Sequence, residues 1–127
     1  MAGRHQLDFM KYIALLMPMA LWFSSAMAAS FDCSKASSWV EKSICADPLL
    51  GKLDAALARN YQGMLASDGG DAIKAFKKEQ LRWLARRNQC TSIACLSAVY
   101  RQRVDETCDY AVVSGVHPEC AMADDIR

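Results

Sequence analysis

The chain has 127 residues, with 15 basic and 14 acidic side chains and a formal net charge of +1. That length allows a single domain. The near-neutral balance speaks against a nucleic-acid binder and gives no electrostatic pointer to a partner.

The first thirty residues read as an export leader. Arg4 and Lys11 give a positive start, Asp8 dilutes it, and Tyr12 to Phe23 is an uncharged apolar run. Ser24-Ser25-Ala26-Met27-Ala28 then closes in small residues, the layout of a secretory signal peptide cut after Ala28. The run is shorter than the roughly 20 residues a bilayer span requires and contains Pro18, so stable membrane insertion is not expected. Phe31-Asp32 ahead of Cys33 is not the small-residue context of a lipid-anchored cysteine. Cleavage leaves 99 residues, with 13 basic and 13 acidic side chains once Arg4, Lys11 and Asp8 are gone. Three parts are expected: a leader over 1–28, a helical domain over 29–107 and an irregular tail over 108–127.

Apolar spacing beyond the leader is helical almost throughout. Ser38-x-x-Glu41 has the form of a capping box and should open a short helix from about Trp39 to Cys45. Asp47-Pro48 is a second start, because Asp caps and Pro loses no needed hydrogen bond at the first helical position. Leu50, Leu53, Leu57, Tyr61 and Leu65 then form one apolar stripe. Ser67-Asp68-Gly69-Gly70 breaks the helix. Asp71 is expected to cap a third helix, in which Ile73, Phe76, Gln80, Trp83, Leu84 and Arg87 face one way. Thr91 or Ser92 can cap a fourth, with Ile93, Leu96, Tyr100 and Val104 on its inner face. Periodicity fails after about Thr107, and Asp109 to Arg127 reads as irregular, with a short extended piece at Tyr110 to Val113. The expected fold is all-α, a small disulfide-stapled domain of about four helices, two of them long and antiparallel.

All six cysteines, Cys33, Cys45, Cys90, Cys95, Cys108 and Cys120, follow the leader. An even count in an exported chain under 100 residues reads as a disulfide framework, and a domain this small benefits from staples. Six cysteines allow fifteen pairings, and sequence does not choose among them rigorously. Local geometry favours sequential pairing: Cys33 and Cys45 flank the short helix, Cys90 and Cys95 bracket a turn, and Cys108 and Cys120 close the tail. Each closure of about six to thirteen residues contributes roughly 2–3 kcal/mol in the chain-entropy model. The rival is zinc, whose patterns use C-x₂₋₄-C pairs, usually two of them. Here Cys90 and Cys95 form the one close pair, so no metal and no cofactor are expected.

Enzyme chemistry finds little to build on. Loss of the leader removes His5 and leaves His117 as the only histidine. Glu41, Asp54 and Glu79 occupy helical positions where caps or ion pairs explain them, so the chain is expected not to be an enzyme. Lys74, Lys77, Lys78, Arg82 and Arg86 form a basic stretch that reads as a solvated helix face. Arg87 instead continues the apolar stripe of its helix. A guanidinium there should find a carboxylate, and Asp54 and Glu41 are the candidates for a structural ion pair.

An ordered series of motifs runs through this region. Phe31-Asp32-Cys33-x-x-Ala36 is followed by Glu41-x-x-Ile44-Cys45-x-Asp47-Pro48-x-Leu50-x-x-Leu53-Asp54-x-x-Leu57-x-x-x-Tyr61. Gln80-x-x-Trp83-Leu84-x-x-Arg87-Asn88-x-Cys90 and Cys95-Leu96-x-x-x-Tyr100-x-x-Arg103 complete it. The series resembles the LprI-type lysozyme-inhibitor N-terminal domain, from Phe31 to about Val104. The resemblance implies a small exported helical domain that binds and blocks lysozyme and so protects peptidoglycan. Because this chain departs from the pattern in lacking a lipoprotein cysteine, it is expected to be free in the periplasm. C-type lysozyme is the expected partner. Cys108, Cys120 and the tail between them are additions to the pattern.

That tail supports a separate reading. Lysozyme cleaves with two carboxylates that flank the scissile bond. A rigid loop offering hydrogen-bond donors to both would block the cleft. Ser114-Gly115-Val116-His117-Pro118-Glu119-Cys120 combines a glycine turn, one imidazole and a rigid end, so Ser114, His117 and Glu119 are the expected lysozyme contacts. Asp105, Glu106, Asp109, Asp124 and Asp125 add acidity that suits a basic partner. Two alternatives stand beside this: an envelope stress or assembly factor bound to another envelope protein, and an envelope hydrolase using helix carboxylates.

Overall fold

The computed structural model describes residues 29–67, 69–109 and 120–127. The expected leader and the extended piece at 110–113 lie outside the described residues. Four α-helices follow a 3-10 turn at Cys33–Lys35: α1 (Trp39–Ala46), α2 (Pro48–Ser67), α3 (Gly70–Arg87) and α4 (Ile93–Asp109). A second 3-10 turn, Ala123–Asp125, closes the chain, and no strand occurs among the described residues. The domain is all-α.

Local chemistry sets most of these boundaries. At the start of α1 the Ser38 hydroxyl accepts from the Glu41 amide at 3.1 Å, and the Glu41 carboxylate accepts from the Ser38 amide at 2.9 Å. This reciprocal capping box satisfies amides that have no partner inside the helix. Asp47 ends α1 in an extended conformation, and its carboxylate accepts from Leu49 and Leu50 at 2.8 and 3.0 Å, which launches α2 behind Pro48. The start of α3 differs from the sequence expectation. Its cap is Gly69, which has no side chain to cap with, and its first residue Gly70 has φ +57°. A left-handed entry of that kind suits glycine alone. Asp71 sits inside the first turn, 3.1 Å from exposed Lys74, where its charge still favours the helix N-terminus. Ser92 caps α4 by accepting from the Cys95 amide at 3.2 Å. That helix runs on to Asp109, two residues past the expected end at Thr107.

The core is continuous. Val40 and Ile44 of α1, Leu50, Leu53, Ala56 and Leu57 of α2, Trp83 of α3, and Leu96, Tyr100 and Val104 of α4 form one buried cluster. Contacts between α2 and α4 are the most extensive. These two helices run parallel, since Asp54 meets Tyr100 and Asn60 meets Val104. The α3–α4 pair is antiparallel: Arg87 meets Tyr100, Trp83 meets Val99 and Gln80 meets Arg103. On α3 the inward residues are those the spacing marks, with Phe76 and Trp83 fully buried. Ile93 is the exception on α4; it remains 43% exposed, and the inner face begins at Leu96.

Three disulfides fasten this bundle. Cys33–Cys45 ties the N-terminal arm to the end of α1, Cys90–Cys95 spans the α3–α4 corner, and Cys108–Cys120 fixes the tail to the end of α4. Asn60 then clamps the returning tail. Its amide nitrogen donates to the Val104 and Ala121 carbonyls at 3.1 and 2.8 Å, and its oxygen accepts from the Ala121 amide at 3.0 Å. Ala123 is buried against α4, where its amide donates to Asp105 at 2.7 Å and its carbonyl accepts from Arg101 at 3.0 Å.

Candidate functional site

The residues of the α3–α4 corner meet α2 through one polar relay in the core. Asp54 is 6% exposed and accepts three hydrogen bonds: from the Ser30 amide at 2.7 Å, the Ser30 hydroxyl at 2.6 Å and the Tyr100 hydroxyl at 2.8 Å. Arg87 donates to the Tyr100 oxygen at 3.3 Å and lies 5.6 Å above the Trp83 ring. Nε and Nη2 each donate one hydrogen bond to Asn88 Oδ1, at 3.1 and 2.9 Å. The expected direct ion pair from Arg87 to Asp54 or Glu41 is therefore not formed; Tyr100 stands between the first two. The physical reason is size: Tyr100 fills the space between α2 and α3, and its hydroxyl satisfies both charges at once. Burial, and then the Asp54 charge, push the Tyr100 hydroxyl well above its ordinary pKa, so it remains a donor.

Glu41 is occupied locally. Its carboxylate accepts from the Ser37 amide and hydroxyl and from the Ser38 amide, and these bonds pull its pKa down to about 2. It is a cap. A groove of about 480 Å³ opens beside it, lined by Ser38, Trp39, Val40, Arg87, Asn88 and Thr91 among others. Trp39 stands at its edge, 47% exposed although tryptophan is mostly buried in folded chains. Sequence reasoning gave Trp39 no role, yet its place just after the cap, outside the apolar stripe, was a usable signal.

The opposite end of α4 carries a different surface. Asp109 follows Cys108, while Asp105 and Glu106 lie one turn earlier. Asp124 comes back to within 4.0 Å of Arg101. Ser114, His117 and Glu119, the expected lysozyme contacts, lie outside the described residues. Both ends of their segment are anchored, since Cys108 and Cys120 are joined with 5.4 Å between their Cα atoms. Asn60, which holds the return of that segment, went unnoticed in the sequence; it sits on the Leu50–Leu53–Leu57 stripe, where a polar residue signals a buried partner.

Chemical options are narrow among the described residues. Every cysteine there is in a disulfide, so no thiolate is available as nucleophile or ligand. Among the described residues no group of three or more metal-binding side chains occurs, and no helix is long and apolar enough to cross a membrane. Lys74, Lys77, Lys78, Arg82 and Arg86 are all exposed.

Comparison with known proteins gives one match. The family model described as lysozyme inhibitor LprI covers residues 33–109, from the first disulfide to the end of α4. No curated protein and no solved structure matches the chain. The matched region contains the capping box, the Asp54–Tyr100–Arg87 relay and two of the three disulfides in full. The chain belongs to the LprI lysozyme-inhibitor family.

Proposed function

We propose that this protein is a periplasmic, lysozyme inhibitor-like binding protein that blocks C-type lysozyme by occluding its cleft and so protects peptidoglycan. It acts by steric fit, without catalysis and without a cofactor. The family description supplies the partner class. One observation supports the mode of action: Cys108–Cys120 and the Asn60 clamp fix both ends of the segment carrying Ser114, His117 and Glu119 to the end of α4. Anchored ends reduce the ordering a segment undergoes on entering a cleft. Ser114 and His117 offer donors to the paired catalytic carboxylates, and the acidic residues nearby favour encounter with a basic enzyme. The leader over 1–28, cut after Ala28, delivers the domain over 29–107 and its tail over 108–127 to the periplasm.

Inhibition of cell-wall lysis by the His117→Ala and Ser114→Ala variants tests this arrangement. Loss of potency with unchanged thermal stability is expected; full potency in both variants removes the tail from the mechanism. The groove beside Trp39, remote from the tail, favours a second reading as an envelope assembly or stress factor bound to another envelope protein. Capture of that protein from periplasm lacking lysozyme, with no inhibition in the lysis assay, would support it.

A further inference from the structure

We propose that the groove between α1 and the α3–α4 corner is a binding site for a peptide C-terminus whose last side chain is large and apolar. The inference is independent of lysozyme binding. The groove lies at the N-terminal end of α4, about 22 Å from Cys108 by the helical rise from Ile93.

Arg87 supplies the charge complementarity. Three of its five N–H groups are committed: Nε and one on Nη2 to Asn88, and one on Nη1 to Tyr100. One N–H is left on each terminal nitrogen, the number a carboxylate takes in a two-point grip. The side chain is already held by Asn88, by the Tyr100–Asp54 relay and by the Trp83 ring, so little freedom is lost on binding. Glu41 lines the same groove but is turned to the Ser37 and Ser38 donors and does not pair with Arg87.

The remaining lining selects what accompanies the carboxylate. Trp39 presents an exposed indole, while Val40 and Cys90 offer buried apolar surface behind it. An apolar side chain on the same carbon as the carboxylate reaches both. The Asn88 side-chain nitrogen, uncommitted because its oxygen serves Arg87, is available to the last peptide carbonyl. An acidic sugar fits less well. Trp39, Val40 and Cys90 offer no partners to ring hydroxyls laid against them. A volume of about 480 Å³ accommodates one terminal residue and the peptide unit before it.

The test uses the oxidised protein and three probes: an N-acetylated tetrapeptide ending in phenylalanine, the same peptide amidated at its C-terminus, and a glucuronic acid disaccharide. Binding is followed by calorimetry. The free acid should bind at least about tenfold more tightly than the amide, the range of a charge-assisted pair. Arg87→Gln should abolish that preference, and Trp39→Ala, with folding checked by circular dichroism, should weaken both peptides alike. Equal binding of acid and amide, no binding of either, or tighter binding of the disaccharide overturns the proposal. Unchanged peptide affinity in Trp39→Ala does so as well. Lysozyme inhibition is measured separately, so failure here leaves the tail mechanism standing, and the reverse.

Discussion

The Tyr100 hydroxyl joins Asp54 to Arg87: it donates to the carboxylate at 2.8 Å and accepts from the guanidinium at 3.3 Å. Three helices meet at that oxygen. Removing it leaves Asp54 with Ser30 alone and Arg87 with Asn88 alone. Tyr100→Phe should lower stability by about 1–3 kcal/mol, the penalty for a buried polar group left without its partner. The energetic coupling between Arg87→Met and Asp54→Leu should fall towards zero in the Tyr100→Phe background, because it travels through the phenol. Urea unfolding of the wild type and the seven variants checks this; coupling that survives without the hydroxyl would point to direct pairing.

Glu41 links the fold to pH. Its pKa is depressed from 4.5 to about 2 by the Ser38 and Ser37 amides, so the folded state favours the ionised form. The stabilisation is fully present above about pH 4.5 and is lost as pH falls towards 2. Glu41→Gln should therefore flatten the acid limb of a plot of midpoint against pH between 5 and 2, as read by circular dichroism.

The disulfides should differ in worth. Cys33–Cys45 and Cys108–Cys120 each close a sequence separation of 12, against 5 for Cys90–Cys95. On the chain-entropy account, paired Cys→Ala replacement should cost about 3 kcal/mol for either longer loop and about 2 kcal/mol for the short one. Guanidinium titrations of the three double variants give the order directly.

Arg103 tests the opposite expectation about buried charge. It is 6% exposed, donates to Gln80 and Glu106 at 3.1 Å each, and its Nη2 has no partner among the described residues. Glu106 keeps access to water, so it tolerates the loss of its partner. Arg103→Met should change stability by less than about 1 kcal/mol or raise it, as replacements of incompletely satisfied buried ions often do. A loss of several kcal/mol would mean that the guanidinium is better satisfied than its contacts indicate.

Much of this architecture is legible in sequence because it is local. The Ser38–Glu41 box, the Asp47-Pro48 start and the glycine break act over three or four residues, and each stands where its spacing places it. The inward face of α3 follows from its apolar stripe, and that of α2 does so as far as Leu57. Beyond it Asn60 and Met64 turn inward where the spacing marks Tyr61 and Leu65, and those two stay half-buried. Long-range polar contacts were not legible. Asn60 reaches Ala121 across 61 residues and Tyr100 reaches Asp54 across 46. Periodicity shows that such residues face inward but not what they meet. Arg87 is the clearest case: its inward position follows from spacing, while the tyrosine interposed from α4 follows only from the packing of α2 beside α4. Asp71 misled differently. Asp at a helix start usually caps, but Gly69 takes the cap and Gly70, in a left-handed conformation, begins the helix two residues sooner.

The central claim is tested most directly by titrating purified, oxidised protein, lacking residues 1–28, into C-type lysozyme acting on a cell-wall suspension. The account predicts that lysis falls to the background rate as the protein reaches stoichiometry, and that replacing Cys108 and Cys120 by alanine weakens the inhibition at least about tenfold through lost preorganisation. Undiminished lysis at large molar excess of the folded, oxidised protein would contradict it.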